Sequence, residues 1–248
     1  MHPSPVSVLS SVNSGSHGNI VSAPCPCSVL VLAAITLATS FVSAVLLPET
    51  GSNIVQRQEQ VPLTFGNAQW IWTGEEAGAG GIAPIGSRGF RKHISNPSSF
   101  VLPVCLTLAV AADNEYVLYV NGFNIGNDFA GFISGASFLD ADIYNIPLNP
   151  EGENVIALNV TNGPGPTDVP NPAGVIVTGI IEFSDQSQEV LVSDSTWLTL
   201  ASDTPAGFMQ PNFGDSAWIA ATEEGLDGVA PWGVTTIVPT NVIGCLNF

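Results

Sequence analysis

The sequence is poor in positive charge. Its 248 residues include four Lys and Arg against 21 Asp and Glu, a formal net charge of −17. The four are Arg57, Arg88, Arg91 and Lys92. A nucleic-acid partner needs a basic face that neutralises phosphates, and this chain cannot build a broad one. An anionic membrane surface is excluded on the same ground. Charge of either sign is scarce: charged residues make up 10% of the chain, against roughly 25% in ordinary soluble domains. No segment sustains a helical period, which excludes a helical bundle. Of the three histidines, His93 alone lies beyond residue 44. No G-x-S-x-G nucleophile elbow occurs.

Charge is missing altogether before Glu49. Val29 to Leu47 is an apolar run, and Val42-Ser43-Ala44 fits the small-residue pattern before a signal-peptidase cut. The expected organisation is a signal peptide over 1–44, an irregular lead-in over 45–62 and a single domain over 63–248. The run is also close to the ~20 residues that span a bilayer, so an uncleaved N-terminal anchor is the alternative. The expected location is accordingly secreted or cell wall, or membrane-anchored at the cell surface. Membrane contact is expected only through that segment. Cys25 and Cys27 would leave with the signal. Cys105 and Cys245 remain in an oxidising space, and a disulfide between them is expected.

The rest reads as many short strands with turn signals between them, the pattern of a sandwich or barrel. Expected strands cover Gln69–Thr73, Ser87–Ile94, Ser99–Ala112, Glu115–Val120, Ile143–Leu148, Asn154–Thr161, Val175–Phe183, Glu189–Val192, Trp197–Leu200 and Gly233–Val238. Asp113-Asn114 reads as the turn of a hairpin, and Asn121-Gly122 as a second strong turn signal. Asn127–Asp142 reads as a loop with one helical turn, and Asp203–Pro231 as mostly irregular. Phe65-Gly66-Asn67-Ala68-Gln69-Trp70-Ile71 resembles Phe213-Gly214-Asp215-Ser216-Ala217-Trp218-Ile219, which reads as a similar edge device used twice. The fold class is therefore all-β: an antiparallel jelly-roll β-sandwich in one domain.

Several stretches, taken in order, resemble the galactose-binding-domain-like jelly rolls. They include Trp70-Ile71-Trp72-Thr73, Arg88-Gly89-Phe90-Arg91-Lys92 and Ala112-Asp113-Asn114-Glu115-Tyr116-Val117-Leu118-Tyr119-Val120-Asn121-Gly122. Asn154-Val155-Ile156-Ala157, Asn171-Pro172-Ala173-Gly174, Asp194-Ser195-Thr196-Trp197 and Pro231-Trp232-Gly233 follow. The set is similar to the N-terminal β-sandwich module of α-L-rhamnosidase-type enzymes and to secreted fungal proteins built on that module. The resemblance implies a jelly roll that often binds sugars. It does not imply catalysis, because the catalytic barrel of those enzymes has no counterpart here.

Sugar binding needs flat aromatic faces for C–H stacking and planar polar groups for hydroxyls. Trp72 and Trp232 adjoin loops and are the candidate stacking surfaces. Trp70, Trp197 and Trp218 sit where a core wants anchors. Glu75, Asn121, Asn162 and Asn171 are candidate polar contacts, each with a competing role as a loop or turn residue. The expected partner is a glycan or cell-wall polysaccharide, the expected function non-catalytic and lectin-like. A structural or adhesive surface protein with no small ligand is the alternative. A glycosidase would need two carboxylates flanking one sugar. Glu75 with Glu76, and Glu223 with Glu224, are the candidate pairs, against the plainer reading of solvated charge. No catalytic residue, metal ligand or cofactor is assigned. A structural calcium ion at Asp113-Asn114 is considered, although the spacing is that of a tight turn and not of an EF-hand. The sequon Asn159-Val160-Thr161 is a candidate glycosylation site.

Overall fold

The computed structural model describes residues 61–75, 80–129, 137–165, 170–238 and Cys245. The expected signal peptide or anchor, Cys25, Cys27, Glu76 and nearly all of the lead-in fall outside these residues. The strands are β1 (Gln69–Trp72), β2 (Gly86–Ile94), β3 (Pro103–Asp113), β4 (Glu115–Val120), β5 (Phe123–Asp128), β6 (Asp140–Pro147) and β7 (Asn154–Asn162). They continue as β8 (Gly174–Phe183), β9 (Gln188–Val192), β10 (Leu198–Thr199), β11 (Ile219–Ala220), β12 (Thr222–Leu226) and β13 (Thr236–Ile237). One short 3-10 turn, Ser137–Leu139, precedes β6.

Two sheets form the sandwich. The seven-stranded sheet runs β12-β1-β8-β3-β6-β13, with β9 also on β8; the six-stranded sheet runs β11-β10-β2-β7-β4-β5. All ladders are antiparallel except β13 on β6. The expected all-β sandwich is what the chain forms. Side chains alternate between faces along a strand, and β4 shows it: Tyr116, Leu118 and Val120 are buried between the sheets while Glu115, Val117 and Tyr119 are not. By contrast β8 is buried at nearly every position, because the outer face of its sheet is covered too. There Phe65, Trp70 and Trp232 pack on Ala109, Ala111 and Ile176. On the outer face of the other sheet, Phe208 and Trp218 pack on Ala157. The twice-used Phe-Gly motif thus has a physical role: each copy turns back (Ala68 N–H to Phe65 O at 2.5 Å, Trp218 N–H to Asp215 O at 2.8 Å) and plugs an aromatic pair onto one outer face.

Three expectations need correction. Asp113-Asn114 is not a hairpin turn: β3 and β4 lie in different sheets, so the turn carries the chain across the sandwich. The true tight hairpin is at Asn121-Gly122, where φ values of 52° and 84° fit a two-residue turn joining β4 to β5. The second correction is β5 itself, together with the start of β6 at Asp140, inside and before the expected loop. The third is the strand expected over Gly233–Val238, which shrinks to β13; the stretch 203–231 is mostly irregular as expected and contributes the short β11 and β12.

Cys105 and Cys245 form the expected disulfide, with Cα atoms 5.9 Å apart. It ties the chain beyond β13 to β3.

Candidate functional site

One end of the sandwich gathers the loops that follow β1, β3 and β7. The turn between the sheets sits at its centre. β3 delivers Asp113 there at the close of a long apolar strand, 7% exposed. Its Oδ2 accepts from Trp232 Nε1 at 3.0 Å, and its Oδ1 accepts from Asn114 Nδ2 at 2.9 Å. Burial pushes this carboxyl up to about 6, against the smaller opposing effect of the Trp232 N–H. Asn114 Oδ1 in turn accepts from Gly163 N–H at 2.7 Å, and Asn114 N–H donates to Thr161 O at 3.1 Å. Asn171 Nδ2 donates to Gly163 O at 3.1 Å and to Asn162 Oδ1 at 3.3 Å, which closes the ring of loops.

Further acids line the same end. Glu115 follows the turn and is half-buried; burial and then the charge of Asp128 raise its carboxyl. Asp142 accepts from Tyr116 Oη at 2.7 Å and is raised chiefly by burial. Phe129 is 53% exposed and directly follows Asp128, which lies opposite Tyr116. Among the described residues this end therefore offers carboxyl acceptors, the planar amides of Asn114 and Asn171 and the exposed ring of Phe129.

The residues singled out in the sequence divide three ways. Trp72 and Trp232 are 0% and 1% exposed, so neither offers a face to a sugar. Trp72 packs with Phe90 between the sheets, and Trp232 stacks on Trp70 at 4.5 Å with a 17° angle. Asn121 lies at the opposite end of the sandwich, where its Oδ1 accepts from Val155 N–H and its Nδ2 donates to Asn154. Asn162 is 0% exposed and donates to Ala83 O and Pro84 O. Glu75 takes a bidentate grip on Arg88, at 2.5 and 2.9 Å. The Arg88 guanidinium holds its carboxyl below the usual range. Of the six, Asn171 alone is half-exposed, at the loop end and clear of an ion pair. Asn159 lies half-buried on the outer face of the six-stranded sheet and accepts from Thr204 Oγ1 at 2.6 Å.

The carboxylate pairs fare no better. Glu223 and Glu224 are neighbours on β12, at a register shift against β1 that leaves Glu224 without a partner residue in the ladder. Glu223 accepts from Ser195 N–H at 2.9 Å, and Glu224 is buried. Among the described residues no three His, Cys, Asp or Glu side chains come together to hold a metal ion. Asp113 and Asn114 alone fall short of the six to eight oxygens that calcium takes. A cavity of about 260 Å³ on the outer face of the seven-stranded sheet is lined by Leu63, Thr107, Ile180 and Glu182 among others. Its β3 lining residue, Thr107, lies roughly 20 Å along the strand from Asp113. Asp113 as a buried acceptor was the residue that sequence reasoning undervalued. The available signal was an acid placed at the end of an unbroken apolar strand.

The described residues form an all-β sandwich with acids and amides at one loop end, and that sandwich has counterparts among known proteins. No family model matches the chain. The crystal structure of a lectin from Pleurotus ostreatus in complex with GalNAc superposes with a TM-score of 0.61 at 38% identity, over 72% of this chain and 48% of that one. An α-L-rhamnosidase of Streptomyces avermitilis is 27% identical over 168 residues, 67% of this chain and 15% of the enzyme. Its crystal structure with L-rhamnose superposes with a TM-score of 0.55. The chain is a β-sandwich similar to the fungal lectin and to the rhamnosidase's β-sandwich module. It spans about half the lectin and a small part of the enzyme.

Proposed function

We propose that the protein is a lectin-like carbohydrate-binding sandwich, exported to the cell exterior or wall, that holds its glycan at the loop end around Asp113-Asn114 and performs no chemistry on it. The observation that carries this reading is the likeness in sequence and fold to the Pleurotus lectin, 38% identical over 72% of the chain, whose crystal structure holds GalNAc. The loop end suits a sugar. An ionised carboxylate has about four acceptor positions, and at Asp113 Trp232 and Asn114 fill two. The half-exposed Asn171 amide adds a planar polar group, and the open ring of Phe129 suits C–H stacking.

Export is supported by the Cys105–Cys245 disulfide, since such bonds persist in oxidising compartments, and by the apolar run Val29 to Leu47 with the Val42-Ser43-Ala44 pattern inside it. A binding role without catalysis is supported by the state of the acids weighed for hydrolysis: Glu75 is committed to Arg88, Glu223 accepts from Ser195 N–H and Glu224 is buried. A second reading, a structural or adhesive surface protein, is favoured by one fact: all five tryptophans are buried. A glycan array of the secreted protein separates the two. Selective binding of one glycan class is expected, and a blank array that includes cell-wall polysaccharides would move the assignment to the surface protein.

A further inference from the structure

We propose that Glu75 is a specificity residue that restricts the loop end to uncharged glycans; this rests on the carbohydrate-binding reading above. Cations are scarce in this chain, with four Lys and Arg in all. A carboxylated or sulfated sugar is recognised by a guanidinium or ammonium able to meet it, best of all a bidentate Arg. The described residues contain three Lys and Arg. Arg91 is 0% exposed and bound to Asp215 at 2.7 Å on the outer side of its sheet. Lys92 is the neighbour of Arg91 on β2 and donates to Thr196. Arg88 alone stands at the loop end, just inside the start of β2, and it is the natural anion receptor there.

Glu75 takes that receptor away. It reaches from the loop after β1, across the mouth of the sandwich, and fills the guanidinium fork with both oxygens. Thr73 Oγ1 pins the carboxylate from behind at 2.7 Å, and Arg88 Nη1 is turned to Ser87 O at 3.2 Å. The internal carboxylate occupies the place a uronate, sialate or sulfate group would take. Asp113, Glu115 and Asp128 add negative charge around the same end, so an acidic sugar meets repulsion and, among the described residues, no free cationic group. A neutral sugar loses nothing by this arrangement.

The test compares the wild type with Glu75→Ala on an array holding neutral, uronic, sialylated and sulfated glycans. The wild type is expected to bind neutral glycans and to ignore the acidic ones. Glu75→Ala leaves a carboxylate-shaped opening on Arg88, so it is expected to gain at least tenfold in binding of acidic glycans. Formate should raise its melting temperature and leave that of the wild type unchanged. Should that variant fail to fold, Glu75→Ser, which also vacates the guanidinium fork, carries the same comparison. Wild-type binding of acidic glycans overturns the proposal, as does a folded variant that gains neither formate stabilisation nor acidic ligands. A wild type that binds no glycan at all overturns the underlying reading, and an acid-selective wild type overturns the role of Glu75 alone.

Discussion

Folding and binding make opposite demands on Asp113. Its carboxyl is buried at the end of β3 and sits at about 6, above the ordinary 3.8. A group that is harder to ionise in the folded state favours folding at low pH. That contribution is lost as pH rises through the folded value, for a cost of about 3 kcal/mol at neutral pH as an upper figure. Asp113→Asn removes the charge and keeps an acceptor for Trp232. It is expected to raise the melting temperature near about pH 8 and to leave it unchanged near about pH 2, where both states are protonated. A thermal melt at the two pH values checks this. The opposite sign holds at Glu75 and Asp215. Arg88 lowers the first; at the second, burial raises the carboxyl but His93 and Arg91 outweigh it. Their contribution is present above the ordinary carboxylate range and is lost as pH falls through the lowered values. Stability is therefore expected to peak between about pH 4 and pH 6, in a denaturant-midpoint series across pH. A monotonic rise to pH 8 would contradict the placement of Asp113.

Single elements show where sequence reasoning succeeds and where it stops. The alternation in β4 and the unbroken apolar run of β3 were legible because burial acts locally, residue by residue along a strand. The destination of β4 was not. A turn such as Asp113-Asn114 looks the same whether it closes a hairpin or crosses between sheets; the partner strands decide, and β7 takes β4 in its own sheet. β5 was hidden by its composition, Phe-Asn-Ile-Gly-Asn-Asp, which is poor in β-branched residues and half exposed on an edge. Trp232 was misread for a related reason. Its place after Pro231 says loop, yet it stacks on Trp70, far away in sequence, and both rings press on Gly174. A Cβ at Gly174 would stand 3.0 Å from each ring. Gly174→Ala is therefore expected to cost about 1–3 kcal/mol through overpacking, read as a lower denaturation midpoint with an unchanged slope. Arg91 anchors the segment that crosses the other outer face, through Asp215, Phe208 O and Gln210 O. Arg91→Ala strands the Asp215 carboxylate beside His93 and removes the anchor, and is expected to loosen this segment, seen as faster amide exchange at Phe208 to Trp218.

For the molecule as a whole, fold class, acidic character and the Cys105–Cys245 bridge were all open to sequence reasoning, because composition and cysteine count are global quantities. The bridge closes a sequence separation of 140 residues and typically contributes about 2–4 kcal/mol. Cys105→Ala with Cys245→Ala is expected to lower the melting temperature and to leave far-UV circular dichroism unchanged at room temperature. The binding end was only partly legible. Asn171 and the turn at Asp113-Asn114 were in view. The burial of Trp72 and Trp232, and the capture of Glu75 by Arg88, depend on which loops meet across the two sheets. Those meetings also divide the molecule's ends: Asn171 lies with Asp113, while Asn121 lies with Asn149 and Asn154 at the other. The most direct test of the account is glycan affinity measured by titration for the wild type, Asp113→Asn and Asn121→Ala. The account predicts at least a tenfold loss in Asp113→Asn, with its fold intact or stabilised, and wild-type affinity in Asn121→Ala. Unchanged binding in Asp113→Asn, or a loss confined to Asn121→Ala, would contradict it.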